Sequence, residues 1–349
     1  MQKIYFNHDG NVDDLVSLIL LLAFPDTEIV GVSAVGADSY VEPAVSASRK
    51  IIDLFGSPSQ LEVAQSDSRP VNQFPKEWRL SAFSFDDFPI LNEHLNEGNP
   101  QTRLAKQPAH LDMVQKLQQS SVPVTLVMTG PLTDLARALA VDPTITAKID
   151  RLFWMGGSMN GIGNVAEPAH DGSAEWNAFW DPEAVQTVFD SDLPITIVSL
   201  DSTNQVPLTT ALRQRWAKQR RYPALDLIGQ GYSLVHSFEA NSTYYLWDVL
   251  TTLISKYPEL VSSKPLNVKV ISKGISAGKT YPFQPEKRIR IRRVVPSPLL
   301  PKLMQTPFTT ASTSSPKVCA ATSKTKFHFL TKKGVPSQNN LEHPFKIHN

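Results

Sequence analysis

Apolar and polar positions alternate in blocks along the first 200 residues, and the blocks change period in a regular order. Residues 3–6 form an apolar, strand-like run that enters a polar loop at 7–12. Residues 13–24 then read as a buried helix with two acids in its first turn. Residues 28–35 alternate with the period of two expected of a strand, and residues 41–55 carry helical spacing up to a stop at Gly56. Residues 122–128 are β-rich and run into Thr129-Gly130-Pro131, with a helix predicted at 132–140. Residues 151–155 make another short strand entering Gly156-Gly157, and residues 193–200 a further one that meets Asp201. Strand alternating with helix predicts an α/β fold, a mainly parallel, doubly wound sheet flanked by helices. In such folds ligands bind at the carboxyl ends of the strands. The polar clusters of this chain fall at those predicted ends.

From Phe283 the pattern changes, so the chain divides into a domain over 1–282 and an atypical C-terminal segment over 283–349. The segment is rich in Pro, Ser and Thr, with a Thr/Ser tract at 309–315 and one short predicted strand at 287–295, and it is expected to be partly disordered. Charge sharpens the division. The segment holds twelve Lys and Arg against Glu286 and Glu342, a net of +10, so the overall +1 hides a net of −9 on the remainder. An acidic body suits a divalent cation and argues against nucleic acid as a partner.

Cys319 is the only cysteine, which excludes a disulfide framework and a cysteine-based zinc site. The longest apolar run, 15–24, is interrupted by Ser17 and is too short to span a bilayer, so no membrane association is expected and the location is read as cytoplasmic.

The richest chemistry lies in Asn7-His8-Asp9-Gly10-Asn11-Val12-Asp13-Asp14, between a predicted strand and a helix. Three carboxylates this close repel one another unless a cation sits among them. Gly10 and Asn11 both tolerate positive φ, which would let the loop fold sharply and aim several oxygens at one point. Capping of the following helix is the alternative use of the same acids. A phosphatase that uses the first Asp of an Asp-x-Asp pair as nucleophile fits poorly, because that position is Asn7. Later clusters fall in order: Thr129-Gly130-Pro131, Gly156-Gly157, Gly163-Asn164, Ala174-Glu175-Trp176-Asn177, and Tyr244-Tyr245-Leu246-Trp247-Asp248.

With these motifs the sequence resembles the nucleoside hydrolases, most closely the inosine–adenosine–guanosine-preferring branch. The likeness rests on His8-Asp9-Gly10-Asn11 with Asp13-Asp14, on Phe74-Pro75-Lys76-Glu77-Trp78-Arg79, on Asp171-Gly172 with Ala174-Glu175-Trp176-Asn177, and on Trp247-Asp248, over residues 3 to about 280. The resemblance implies calcium-dependent hydrolysis of purine ribonucleosides to free base and ribose. It implies a calcium ion held by Asp9, Asp14, the Thr129 carbonyl and Asp248, with Asp9 also the general base. Asp13, Asn164, Glu175 and Asn177 would hold the ribose hydroxyls, Trp78 and Trp247 would sandwich the purine, and Asp38 would lie near the base. Many relatives that accept pyrimidines carry His immediately before the last metal-binding Asp, where this chain has Trp247. A homo-oligomer, dimer or tetramer, is expected.

Two departures stand out. Asn7 replaces the family's usual Asp, and restoring Asp there is expected to tighten the metal. Beyond Thr280 the family adds a final strand and an apolar-faced helix, where this chain carries its basic tail. The run from Gly274 to Thr280 imitates a phosphate-binding loop, but it has three residues between its glycines where four are needed, and Tyr281-Pro282 blocks the helix that should follow. His170, in the loop before Glu175, is a candidate acid for the leaving base, though loop histidines are more often solvated. Rival readings are a nucleoside-binding protein of the same fold without turnover, a hydrolase of broader purine and pyrimidine range, and a nucleic-acid binder using the tail.

Overall fold

Ile4, Tyr5 and Phe6 are fully buried in strand β1 (Gln2–His8), because helices cover both faces of the sheet it centres. In this computed structural model the described residues are 1–95, 99–235, 243–283, 291–296, 309–310 and 327–328. After β1 come α1 (Val12–Ala23), β2 (Thr27–Ala34), α2 (Val41–Phe55), β3 (Glu62–Gln65), α3 (Ser81–Asp86), α4 (Pro89–Asn92), β4 (Arg103–Leu104) and α5 (Ala109–Gln119). The second half runs β5 (Val124–Met128), α6 (Thr133–Val141), β6 (Ile149–Met155), α7 (Trp176–Trp180), α8 (Pro182–Phe189) and β7 (Ile195–Val198). It continues through α9 (Leu200–Thr203), α10 (Thr210–Lys218), α11 (Pro223–Leu234), α12 (Trp247–Lys256), β8 (Val261–Val270), β9 (Thr280–Phe283) and β10 (Ile291–Pro296).

The ten strands are ordered β4-β3-β2-β1-β5-β6-β7-β10-β8-β9. Pairing is parallel from β4 through to β10, and β8 pairs antiparallel with both β10 and β9, so in this sheet β8 alone runs against the rest. Helices α1, α2, α11 and α12 pack together, and α5, α6 and α8 contact one another in sequence. The fold is therefore the mainly parallel, doubly wound α/β sheet expected from the alternating pattern. From β1 the chain steps outward through β2, β3 and β4, then returns to the other side of β1 and proceeds through β5, β6 and β7. The order reverses between β1 and β5. Loops leaving those two strands diverge, and the crevice between them is where such sheets bind ligands.

Strand β10 lies past residue 282, in the segment set apart by composition, yet it inserts between β7 and β8. Residues Met1–Thr306 form one compact unit. The second unit, Pro307–Asn349, is described only at Thr309–Thr310 and Phe327–His328, a short antiparallel pair. The expectation of disorder in the tail, most of the Thr/Ser tract and Cys319 fall outside the described residues. Among the described residues no helix is long and apolar enough to cross a membrane.

Candidate active site

The loop after β1 turns on Gly10, whose φ is +83°, a value that favours glycine. Asn11 does not share that conformation. Its φ is −75°, and it caps α1 by accepting from Val12 N at 2.7 Å. Asp14 completes the capping box by accepting from Asn11 N at 2.9 Å. The residues that cap α1 therefore lie in the same loop as the acids that could hold a cation. Gly130, after β5, permits the closest approach of the two crevice loops. A Cβ there would lie 2.9 Å from Asp9 Cβ.

Asp9, Asp13, Asp14 and Asp248 are all buried. Oxygens of Asp13, Asp14 and Asp248 lie within 4.8 Å of one another. Asp9 joins this group: burial first, then the charges of Asp14 and Asp38, hold its carboxyl well above the usual carboxylate range. Burial, with Asp13 next, pushes Asp14 up to about 8. Asp248 is raised by burial and by Asp13, Asp14 and Asp9. Asp13 is raised by burial, against the opposing hydrogen bond from the Tyr244 phenol. Asp13 Oδ2 is buried without a hydrogen-bond partner among the described residues. A set of buried oxygens that repel one another, one of them unsatisfied, matches the donors a hard divalent cation takes.

The sequence reading placed Asp9, Asp14, Thr129 and Asp248 on the metal and Asp13 on ribose; in the structure the tightest group is Asp13, Asp14 and Asp248. Thr129 sits at the same point, donating from Oγ1 to Asp14 Oδ1 at 2.5 Å. The Thr129 carbonyl accepts from Asn177 Nδ2 at 2.9 Å and keeps a second lone pair. Glu175 caps α7: its carboxylate accepts from the backbone N–H groups of Gly157, Asn177 and Ala178, at 2.8, 2.8 and 3.1 Å. Burial raises it to about 7 despite those bonds. Asn177 also donates to the Met155 carbonyl at 3.2 Å, so it bridges the ends of β5 and β6. Asn164 is exposed and holds Trp176 in place, through its side-chain oxygen at 3.2 Å and its carbonyl at 3.0 Å.

Asp38 is half-buried and reaches the crevice from the loop after β2. Asn11 Nδ2 donates to it at 2.6 Å, and its own N–H faces Asp9 Oδ2 at 3.3 Å. Burial is the main cause that raises it to about 7. The two candidate indoles belong to separate aromatic groups. Trp78 packs edge-on against Trp176 at 5.4 Å and Phe74 at 6.2 Å. Trp247 opens α12 beside Asp248 and packs against Tyr244 at 4.6 Å and Tyr245 at 5.8 Å. Each group is tied to the acidic centre. Ser81, three residues after Trp78, donates to Asn11 Oδ1 at 2.8 Å, and Tyr244 donates to Asp13 Oδ1 at 2.9 Å.

Asn7 points away from the acids. Its amide donates to Ser33 Oγ at 2.8 Å and to buried Asp134 at 3.2 Å. A carboxylate at this position would face Asp134 and could not donate to it. His170 is a clamp between loops. Its Nδ1 accepts from Gly172 N at 3.0 Å, which leaves Nε2 to donate to the Ala277 carbonyl at 2.9 Å. The residues from Gly274 to Lys279 lie in the connection between β8 and β9 and lead into a strand at Thr280, not into the helix that a phosphate-binding loop needs. Asn11, Ser81 and Tyr244 were not singled out as site residues from sequence. Only Asn11 and Tyr244 carried any signal, by lying inside the two acidic motifs.

Residues 4–327 match the family model described as inosine-uridine preferring nucleoside hydrolase, and the chain belongs to that family. It is similar to a solved inosine-uridine preferring nucleoside hydrolase from Bacillus anthracis. The identity is 50%, with 84% of this chain and 94% of that one covered, at a TM-score of 0.79. Among curated relatives, a probable uridine nucleosidase 1 from Oryza sativa subsp. japonica is 27% identical over 82% of this chain and 86% of its own length. A pyrimidine-specific ribonucleoside hydrolase RihA from Shewanella sp. (strain ANA-3) is 34% identical over 59% of this chain and 61% of its own. Membership makes the protein a nucleoside hydrolase; the named relatives differ in the bases they are named for.

Proposed function

We propose that the protein hydrolyses the N-glycosidic bond of ribonucleosides to free base and ribose, with calcium in the acidic centre and purines as the favoured bases. The observation that carries this reading is the convergence of Asp9, Asp13, Asp14 and Asp248 with Thr129 at the β1–β5 reversal. A calcium ion held by Asp14, Asp248, Asp9 and the Thr129 carbonyl would neutralise these acids and acidify the attacking water. Asp9 would accept the proton of the attacking water as the water oxygen bonds to the anomeric carbon. The bond to the base nitrogen breaks with its electron pair leaving on the base, which then takes up a proton. Asp13, Asn164, Glu175 and Asn177 hold the ribose hydroxyls, which fixes the sugar as it flattens toward an oxocarbenium-like transition state. Asn7 faces Asp134, so its departure from the family pattern leaves the proposed metal donors intact.

On the base side, Trp78 and Trp247 stack on the leaving base, and Asp38 lies beside it. A bicyclic purine gains more from stacking than a pyrimidine. A broader range, inosine and uridine together, is the second reading, and the name of the half-identical Bacillus anthracis protein favours it. Assembly as a dimer or tetramer belongs to the same proposal and is read by light scattering. The deciding experiment is ribose release from inosine, adenosine, guanosine, uridine and cytidine with calcium present. Faster release from the three purine nucleosides is expected. Uridine faster than inosine would replace the purine reading, and no release from any of the five would leave a binding protein.

A further inference from the structure

Tyr244 touches both halves of the proposed site. Its hydroxyl donates to Asp13 Oδ1 at 2.9 Å, while Asp13 Oδ2 is buried with no hydrogen-bond partner among the described residues. One oxygen is thus anchored and the other is left to meet a ribose hydroxyl or the cation. The ring of Tyr244 packs edge-on against the Trp247 indole, with centroids 4.6 Å apart at 74°. Behind it stands Tyr232, at 6.0 Å, itself stacked on Trp216 at 5.1 Å. The backbone is pinned as well. The Tyr244 carbonyl accepts from Leu208 N at 2.8 Å, and Leu246 N donates to the Val206 carbonyl at 2.9 Å.

We infer that Tyr244 is a positioning residue that couples the sugar side to the base side, setting the Asp13 carboxylate through its hydroxyl and the Trp247 indole through its ring. This rests on the proposed hydrolysis and on Trp247 contacting the base. The two tasks separate chemically. The hydroxyl serves any riboside, because every substrate presents the same sugar. The ring serves only substrates whose base must be stacked to leave.

Two variants and two substrates test the division. Tyr244→Phe keeps the ring and removes the hydroxyl. It should lower kcat on inosine and on nitrophenyl riboside alike, by roughly ten- to a hundredfold, the size expected for a hydrogen bond to a charged group. Tyr244→Leu removes both. It should show that common loss plus a further loss on inosine alone, up to about tenfold, the size of one aromatic pair. Tyr244→Met, which better fills the ring's space, gives the same reading if the Leu variant does not fold. Wild-type ribose release is measured first. No release there defeats the hydrolase reading itself. With an active wild type, a Phe variant within about twofold of it on both substrates, or impaired on inosine only, overturns the hydroxyl's role. Equal extra losses on both substrates in the Leu or Met variant overturn the ring's role.

Discussion

The two sides of this site are built by different means. The sugar and metal side stands mostly on strand ends, with Asp248 brought to it by α12. Asp9, Asp13 and Asp14 follow β1, Thr129 follows β5, and Asn177 ties β5 to β6, all buried within one parallel sheet. The base side stands on connections. Trp78 sits in the stretch between β3 and α3, and Trp247 opens α12 after a long excursion, with both rings only partly covered. A sheet edge moves as a unit, so its carboxylates keep their geometry. A connection can change length and residues without disturbing the sheet. On the proposed function, the first side would fix the reaction and the second the choice of base. The relatives fit this division: they share the family, while their names divide among inosine-uridine, uridine and pyrimidine.

The largest effect is expected on the sugar side. Asp9→Ala should lower turnover by about 10²- to 10⁴-fold on every riboside, the span of a general base, and steady-state kinetics on two nucleosides checks it. A loss confined to one base would break the division. On the base side, Trp247→Ala should slow inosine by roughly ten- to a hundredfold, from about 1–3 kcal/mol of stacking. Nitrophenyl riboside, which needs no help in leaving, should be affected much less. Equal losses on both would make the indole a mere wall.

Stability should respond to pH in the direction the acids dictate. Asp14, pushed up to about 8, and Asp38, to about 7, hold protons in the folded chain that they release when unfolded. Their contribution is present in full below the unfolded carboxylate range and is lost as pH rises through the folded values. With chelator, the melting temperature should fall between pH 5 and 9. Calcium competes with those protons, so the gap between calcium and chelator curves should widen as pH rises. A gap that narrows would contradict the buried cluster as the binding site. The last effect, on stability alone, belongs to Asn7. Asn7→Asp sets a carboxylate against Asp134 and should cost about 1–3 kcal/mol in denaturant unfolding. A variant as stable as wild type would mean that the Asn7–Asp134 bond carries little.

How much was legible follows the same division. Residues 41–55 were read to the residue, and the other strands and helices named over residues 3–200 lie within two residues of those observed, because each carries one clear period; the strand expected at 287–295 overlaps β10 (Ile291–Pro296). Long elements such as α5, α12 and β8, of 11, 10 and 10 residues, were not named from sequence, and neither were the short ones. Strands β3 and β4 and helices α3 and α4 span two to six residues, too few for a period to show. Compositional bias drew the domain boundary at 282, yet β10 sits in the central sheet beyond it, since a basic strand is held by backbone bonds that composition does not report. In the site, the acidic loop was plain because its residues are neighbours in sequence. Contacts such as Ser81 to Asn11, or Tyr244 to Asp13 across 231 residues, leave no local pattern.

The most direct test of the account is ribose release from inosine by the wild-type protein, first in excess chelator and then with calcium restored. The buried acids cannot all be ionised around Asp9 without a cation, so release should stop with chelator and return as calcium is titrated in. Full release in excess chelator would contradict the cation-dependent mechanism.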